Sequence, residues 1–180
     1  IYTRTGDKGT AAVYNGERRN KDDVVFDTLG SLDECMAAIG LAVELGRATP
    51  AVAESSKDVL ASLEEIMALL FDAGASVATP QNSENTSEYK RNKAFFAEES
   101  LITLLEQDID AMTAQIDPLK WFVLPSGGPC AAQVHVARTL ARRAERRVWP
   151  LFRDGSVDPM VGKFLNRLSY YLFTAALLIA

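Results

Sequence analysis

The chain has 180 residues, with 19 Lys and Arg against 24 Asp and Glu and a formal net charge of -5. That length suits a single domain with a real core, and the acidic balance argues against a nucleic-acid binder, whose basic surface should dominate. Two cysteines and one histidine build neither a disulfide framework nor a metal-ligand cluster, so Cys35 and Cys130 are expected to be small helix residues.

The chain opens Thr3-Arg4-Thr5-Gly6-Asp7-Lys8-Gly9-Thr10, a run of hydroxyls, glycines and cations placed before any hydrophobic periodicity. Glycines admit backbone amides close to a ligand and Lys and Arg bring charge, so the composition suits a polyphosphate cradle; it equally suits a turn or a frayed end. It is not a Walker A loop, because Lys8 precedes Gly9 and no buried strand leads in. Lys21, in Arg18-Arg19-Asn20-Lys21, is either a further cation for the same ligand or part of a solvated loop. Asn15-Gly16 closes a small turn, the main strand-type signal in the chain.

A first helix is expected from Ser31, with Ser31 and Glu34 as a capping box, through Met36, Ile39 and Val43 to Gly46. The second covers 51–73 on Leu60, Leu63, Met67, Leu70 and Phe71, with Gly74 as its stop. The polar stretch from Thr79 to Lys93 reads as a mobile loop. A third helix is expected over 98–115 on Leu101, Leu104, Leu105, Ile109 and Met112. Pro118 and the run from Pro125 to Pro129 mark a loop; a fourth helix follows over 130–152, and Asp158 caps the last one with Pro159 in its first turn. The apolar end, Tyr170 to Ala180, is too short to span a bilayer and reads as a buried helix end. Helices joined by short loops and one long one indicate an antiparallel bundle in one domain, with residues 1–30 as an N-terminal segment and 31–180 as the bundle.

The fourth helix carries the main chemical signal. His135, Arg138, Arg142 and Glu145 recur at offsets of three and four, so they share one face, while Val134, Ala137, Ala141, Ala144 and Val148 form another. Arg146 flanks the stripe. Guanidinium groups set in a row repel unless something anionic lies against them, and their planar fork matches phosphate and carboxylate oxygens. The competing reading is a solvated face with pairs such as Arg142 with Glu145.

Five segments together carry a resemblance: Tyr2 to Thr10, Gly30-Ser31-Leu32-Asp33-Glu34, Phe122 to Gly128, Arg142-Arg143-Ala144-Glu145-Arg146, and Phe164-Leu165-Asn166-Arg167-Leu168-Ser169. In this order and nearly end to end, they resemble the PduO-type ATP:cob(I)alamin (corrinoid) adenosyltransferases. The resemblance implies an all-α, antiparallel five-helix bundle of the ferritin-like, cobalamin adenosyltransferase-like kind, assembled as a homotrimer with sites at subunit interfaces. It implies transfer of the 5'-deoxyadenosyl group of ATP to cob(I)alamin, giving adenosylcobalamin and triphosphate. Cobalt is the nucleophile, so the protein supplies positioning and charge neutralisation, and a Mg2+ ion would be held by phosphate oxygens and water rather than by protein ligands.

Residue by residue, the resemblance implies ATP contacts at Thr3, Arg4, Thr5, Gly6, Asp7, Lys8, Lys21, Arg142, Arg143, Glu145, Arg146 and Asn166. Arg142 and Phe122 are the residues expected to carry catalysis. Phe122 matches an aromatic that packs under the corrin and keeps the lower ligand off cobalt; without the resemblance, Phe122 beside Trp121 reads as ordinary core. Asp33 and Arg138 match a salt bridge between subunits, although Asp33 also suits the first turn of a helix. Two positions depart from the family pattern: Tyr170 stands where Asp is usual, and Ala11 where a hydroxyl is frequent. A carrier of ATP or adenosylcobalamin with weak turnover, or a bundle whose Arg stripe docks an acidic partner, are the competing functions. A reductase and an adenosylcobalamin-dependent mutase are expected partners; nucleic acid and membrane are not. The chain starts at Ile1 and shows no signal peptide, so the expected compartment is the cytoplasm for a bacterial source and the mitochondrial matrix for a eukaryotic one.

Overall fold

The computed structural model describes residues 2–94, 96 and 99–180, and holds seven α-helices with one small antiparallel sheet among them. Strands β1 (Thr10–Ala12) and β2 (Arg18–Asn20) pair with Ala11 opposite Arg19. Gly16 N donates to Val13 O and Val13 N to Glu17 O, both at 2.9 Å, and Gly16 takes φ 93°. This is a three-residue hairpin loop whose left-handed position needs glycine. Asn15 tightens it by accepting from Glu17 N at 2.8 Å.

Helix α1 (Val24–Arg47) begins well before Ser31, capped by Asp23, which accepts from Val25 N at 2.9 Å. The expected capping box does not form: Ser31 is buried in mid-helix and donates to Asp27 O at 2.8 Å. The helix extends backwards because Val25, Thr28, Leu32 and Cys35 already follow its buried face. Each buried Val or Leu is worth roughly 1.5–3 kcal/mol, which outweighs the roughly 1 kcal/mol cost of Gly30 in a helix interior. A boundary at residue 31 therefore falls inside α1 and not between two parts.

The expected second helix is two: α2 (Pro50–Ser55) and α3 (Lys57–Val77), broken at Ser56, whose φ of -120° is not helical. Gly74 does not stop α3, because Ala73, Ser76 and Val77 are buried on either side of it. A further short helix, α4 (Glu88–Lys93), lies in the stretch expected to be mobile. Helix α5 (Glu99–Thr113) follows; Glu98, its expected first residue, lies outside the described residues. Helices α6 (Gly128–Arg153) and α7 (Pro159–Ile179) complete the chain, and Asp158 caps α7 as expected, accepting from Met160 N at 2.7 Å. Five helices are long; the six-residue α2 and α4 raise the expected five to seven among the described residues.

Helix α6 is the central element, packed on α1 along one side and α7 along the other, with α3 against α1 and α5 against α7. Ala137, Ala141 and Ala144 are completely buried, and their small side chains let both neighbours approach. Cys130 on α6 donates to Ala42 O at 3.2 Å and Cys35 is buried opposite Ala137 O. Burial pushes the Cys35 thiol up to about 12, so it stays protonated. The apolar end of the chain is part of α7, with Tyr171, Leu172, Ala175 and Ala176 buried. No helix among the described residues is long and apolar enough to cross a membrane.

Residues 79–93, expected to be a loop, include α4 and are hydrogen-bonded to the hairpin and to the α6–α7 turn. Asn15 Nδ2 donates to Ser83 Oγ at 3.1 Å and Thr86 Oγ1 at 3.0 Å; Lys90 Nζ reaches Tyr14 O at 3.1 Å. Arg91 donates to Gln81 O and Ser83 O, and Gln81 N to Ser156 O at 2.8 Å. The Asn, Ser and Thr content that resembles a disordered composition supplies side-chain to backbone bonds here. They strap the hairpin to the α6–α7 turn.

Candidate functional site

The N-terminal loop before β1 is a succession of turns. Asp7 N donates to Arg4 O and Gly9 N to Gly6 O, and Arg4 adopts φ 59°, a left-handed conformation rare for a residue with a Cβ. Thr3 and Thr5 hydroxyls lie 2.9 Å apart, and Arg18 Nη2 binds Thr5 O at 2.7 Å and Thr10 Oγ1 at 2.7 Å. Lys21 is brought into the same loop: its N donates to Gly9 O, and a Cβ at Gly6 would stand 3.0 Å from its Nζ. Sequence distance separates Lys21 from the first loop, and the hairpin removes it. Thr3, Arg4, Thr5, Asp7 and Lys8 are all exposed there. Ala11 lies in β1 opposite Arg19 and offers no hydroxyl.

Three members of the stripe on α6, His135, Arg138 and Glu145, face α7. Arg138 sets its guanidinium 5.7 Å from the Phe173 ring, and His135 lies 6.1 Å from the same ring. Arg142, one turn beyond Arg138, is exposed and forms no ion pair among the described residues. Glu145 accepts from Asn166 Nδ2 at 2.9 Å, which joins the stripe to α7. Arg146 is exposed. Arg143 points the other way: it pairs with Glu34 of α1, so it stands apart from Arg142 despite adjacency, as a 100° step between neighbours requires. Arg147, also on that side, pairs with Asp27 at 2.8 Å.

Asp33 and Arg138 do not meet within the chain. Asp33 is exposed beside a groove between α1 and α3 lined by Leu29, Met36, Leu70 and Phe71, whereas Arg138 lies against α7 with Nε finding no partner. Phe122 is not core. It lies on the loop between α5 and α6 and is fully exposed, with Trp121 and Leu124 mostly exposed beside it. Prolines on both sides of that loop keep it out of either helix. Gly127 ends it at φ 101°, and a Cβ there would meet Ala180 Cβ at 2.4 Å. Tyr170 is half-exposed in a cavity of about 340 Å³ between α5 and α7, with Glu106, Asp110 and Arg167. Among the described residues no three His, Cys, Asp or Glu side chains gather as a metal site.

His135 is only 3% exposed and its Nδ1 has no partner. Burial first, and then the Arg138 charge, hold its pKa below the ordinary 6.5. The folded value lies below the unfolded one, so the unfolded chain takes up the proton first. The stability that His135 contributes is complete above 6.5 and is lost as the pH falls from there through the folded value. The parent's melting temperature should therefore fall more steeply than that of His135→Leu between about pH 7.5 and pH 5.5. Identical slopes would show that His135 titrates alike in both states.

Together these features define a helical bundle with a basic stripe on α6, a basic, hydroxyl-bearing N-terminal loop and an exposed aromatic loop. The family model described as cobalamin adenosyltransferase matches residues 1–179, and the chain belongs to that family. It is 46% identical over 176 residues to corrinoid adenosyltransferase MMAB of Mus musculus, covering 98% of this chain and 70% of that one. With the corrinoid adenosyltransferase of Bacillus subtilis it shares 40% identity over 98% of this chain and 84% of that one. A solved PduO-type ATP:corrinoid adenosyltransferase variant from Lactobacillus reuteri, complexed with cobalamin and ATP, superposes with a TM-score of 0.86 at 35% identity, covering 99% and 89% of the two chains.

Proposed function

We propose that this chain transfers the 5'-deoxyadenosyl group of ATP to cob(I)alamin or a related reduced corrinoid. The observation that carries the reading is the exposed Arg142 between Arg138 and Arg146 on α6, next to the Glu145–Asn166 pair, in a chain of this family. Cobalt attacks C5' of the ribose; the cobalt–carbon bond forms with the cobalt electron pair, and the C5'–oxygen bond breaks with its pair leaving on triphosphate. The protein's part is to hold the two reactants in line and to neutralise the departing charge. Arg142 and Arg146 take triphosphate oxygens, where the guanidinium fork is effective. The N-terminal loop, with the Lys21 ammonium folded against Gly6, closes over the same phosphates with the hydroxyls of Thr3 and Thr5. A Mg2+ ion on the triphosphate would take phosphate and water oxygens. Arg143 acts on this surface only after leaving Glu34.

The site is completed by assembly. Asp33 and Arg138 lie on different faces of one chain, so a pair between them needs a second copy, and a closed ring of such head-to-tail contacts is the homotrimer. The groove beside Asp33, with Phe71 67% exposed, supplies the apolar part of that contact. Asp33→Asn should leave Arg138 uncompensated at the interface and shift sedimentation towards smaller species. A monodisperse monomer of the parent with full activity would remove the shared-interface site.

Anaerobic incubation of the protein with cob(I)alamin and ATP, following the cobalamin spectrum and free triphosphate, tests the function itself. Both products in equal amounts support the transferase. Binding of ATP without turnover would make the chain a carrier, and neither binding nor turnover would leave a scaffold.

A further inference from the structure

Beside Asn166 a contact network continues beyond the residues used above. Asn166 Nδ2 donates to Glu145 Oε1 at 2.9 Å, and Asn166 Oδ1 accepts from Arg167 Nη1 at 2.6 Å. Arg167 Nε donates to Glu106 Oε1 on α5 at 2.5 Å. Four side chains on three helices thus form one row: Glu106, Arg167, Asn166, Glu145. The row allows only one orientation of the Asn166 amide. Reversed, its NH2 would face a guanidinium that has only donors, and its oxygen would face a carboxylate that has only acceptors.

The counter-charge for Arg167 has to come from elsewhere than its own helix. From Pro159 to Ile179, α7 contains no Asp or Glu, and the position one turn on is Tyr170. Glu106 supplies the carboxylate from α5. The Arg167–Glu106 pair is half-exposed, 39% and 47%, and a pair this open adds little to stability. Its effect is orientation: without Glu106 the guanidinium is free to swing, and the amide loses the group that sets it.

We propose that Arg167 is a positioning residue for the nucleotide, anchored by Glu106 of α5, which fixes the Asn166 amide and through it the Glu145 carboxylate beside Arg142. The inference rests on Asn166 and Arg142 being nucleotide contacts. Glu106 of α5 supplies the counter-charge that α7, with no acidic residue, does not carry.

Calorimetric titration of Mg-ATP into the full chain tests it without depending on corrinoid chemistry. Arg167→Ala should weaken ATP about tenfold, the scale of one hydrogen bond to a charged group, and Glu106→Gln should weaken it severalfold with an unchanged melting temperature. Tyr170→Asp in the Glu106→Gln background places a carboxylate three residues along from Arg167 and should restore the parent's affinity. A role in packing alone predicts no such rescue. Both Glu106 variants change half-exposed positions, so they decide the matter even if Arg167→Ala does not fold. ATP binding by Glu106→Gln equal to the parent's, or no recovery in the double variant, overturns the relay and leaves the transferase reading standing. No ATP binding by the parent overturns both.

Discussion

Arg142→Ala is expected to abolish turnover or raise the apparent ATP constant by about tenfold to a hundredfold, the range for losing hydrogen bonds to a charged group. The fold should be unaffected. Arg142 is exposed on α6 and makes no ion pair among the described residues, so truncating it breaks no ion pair and leaves Ala141 and Ala144 buried. Exposed substitutions of this kind change stability by roughly 0.5 kcal/mol or less. The electrostatic argument points the same way: Arg138, Arg142 and Arg146 repel one another along the stripe, and an anion relieves that repulsion. Arg142→Lys keeps the charge but loses the fork, and should fall between parent and Ala. ATP kinetics and circular dichroism on the three proteins check this. Unchanged kinetics in Arg142→Ala would remove this face of α6 from the nucleotide site. Arg146→Ala should behave like Arg142→Ala, and a loss of helicity there would instead mark a structural role.

What could be read from the chain before folding depended on whether the signal was local. The stripe on α6 and its buried Val134, Ala137, Ala141, Ala144 and Val148 follow from the helical period alone, and the Asp158 cap from an Asp placed directly before Pro159. The Ser31–Glu34 pattern failed because the same spacing occurs within helices, and only the buried face leading back to Val25 reveals the true start. The stretch from Thr79 to Lys93 failed for a different reason. Composition cannot separate a solvated segment from one whose polar side chains are spent on backbone groups far along the chain, as Asn82 is on Asp154 O, 72 residues away. Arg142 and Arg143 look equivalent in sequence, and only the neighbours of α6 send one to the open face and the other to Glu34. Glu106 and Arg167 are 61 residues apart, beyond any periodicity, and their pairing needed the α5–α7 contact. Hydrophobicity misled at Phe122, since a Trp-Phe pair reads as core until the loop that carries it is seen to lie on the surface.

That exposure sharpens what Phe122→Ala should do. A buried Phe lost to Ala would cost about 3–5 kcal/mol, but Phe122 is fully exposed in the free chain, so the expected loss is within about 0.5 kcal/mol and the melting temperature should barely move. The ring therefore has no packing role within the chain to lose, and an effect on chemistry reports on what covers it. An exposed aromatic loop is costly to leave in water and is covered when an apolar partner arrives; the partner proposed here is the lower face of the corrin. Held there, Phe122 would keep the lower ligand off cobalt, and reduction of cob(II)alamin to the cob(I)alamin nucleophile would be easier. The later attack on C5' depends on Arg142 and the N-terminal loop instead. Turnover of Phe122→Ala from enzymatically reduced cob(II)alamin should accordingly fall far more than turnover from chemically pre-reduced cob(I)alamin, by at least about tenfold if the ring is worth roughly 1.4 kcal/mol to the reduction step. Trp121→Ala, one residue away and 87% exposed, is the control for general damage to the loop. Equal losses from both cobalamin sources, or the same pattern in Trp121→Ala, would detach Phe122 from the corrinoid and leave the loop's exposed ring without its proposed partner.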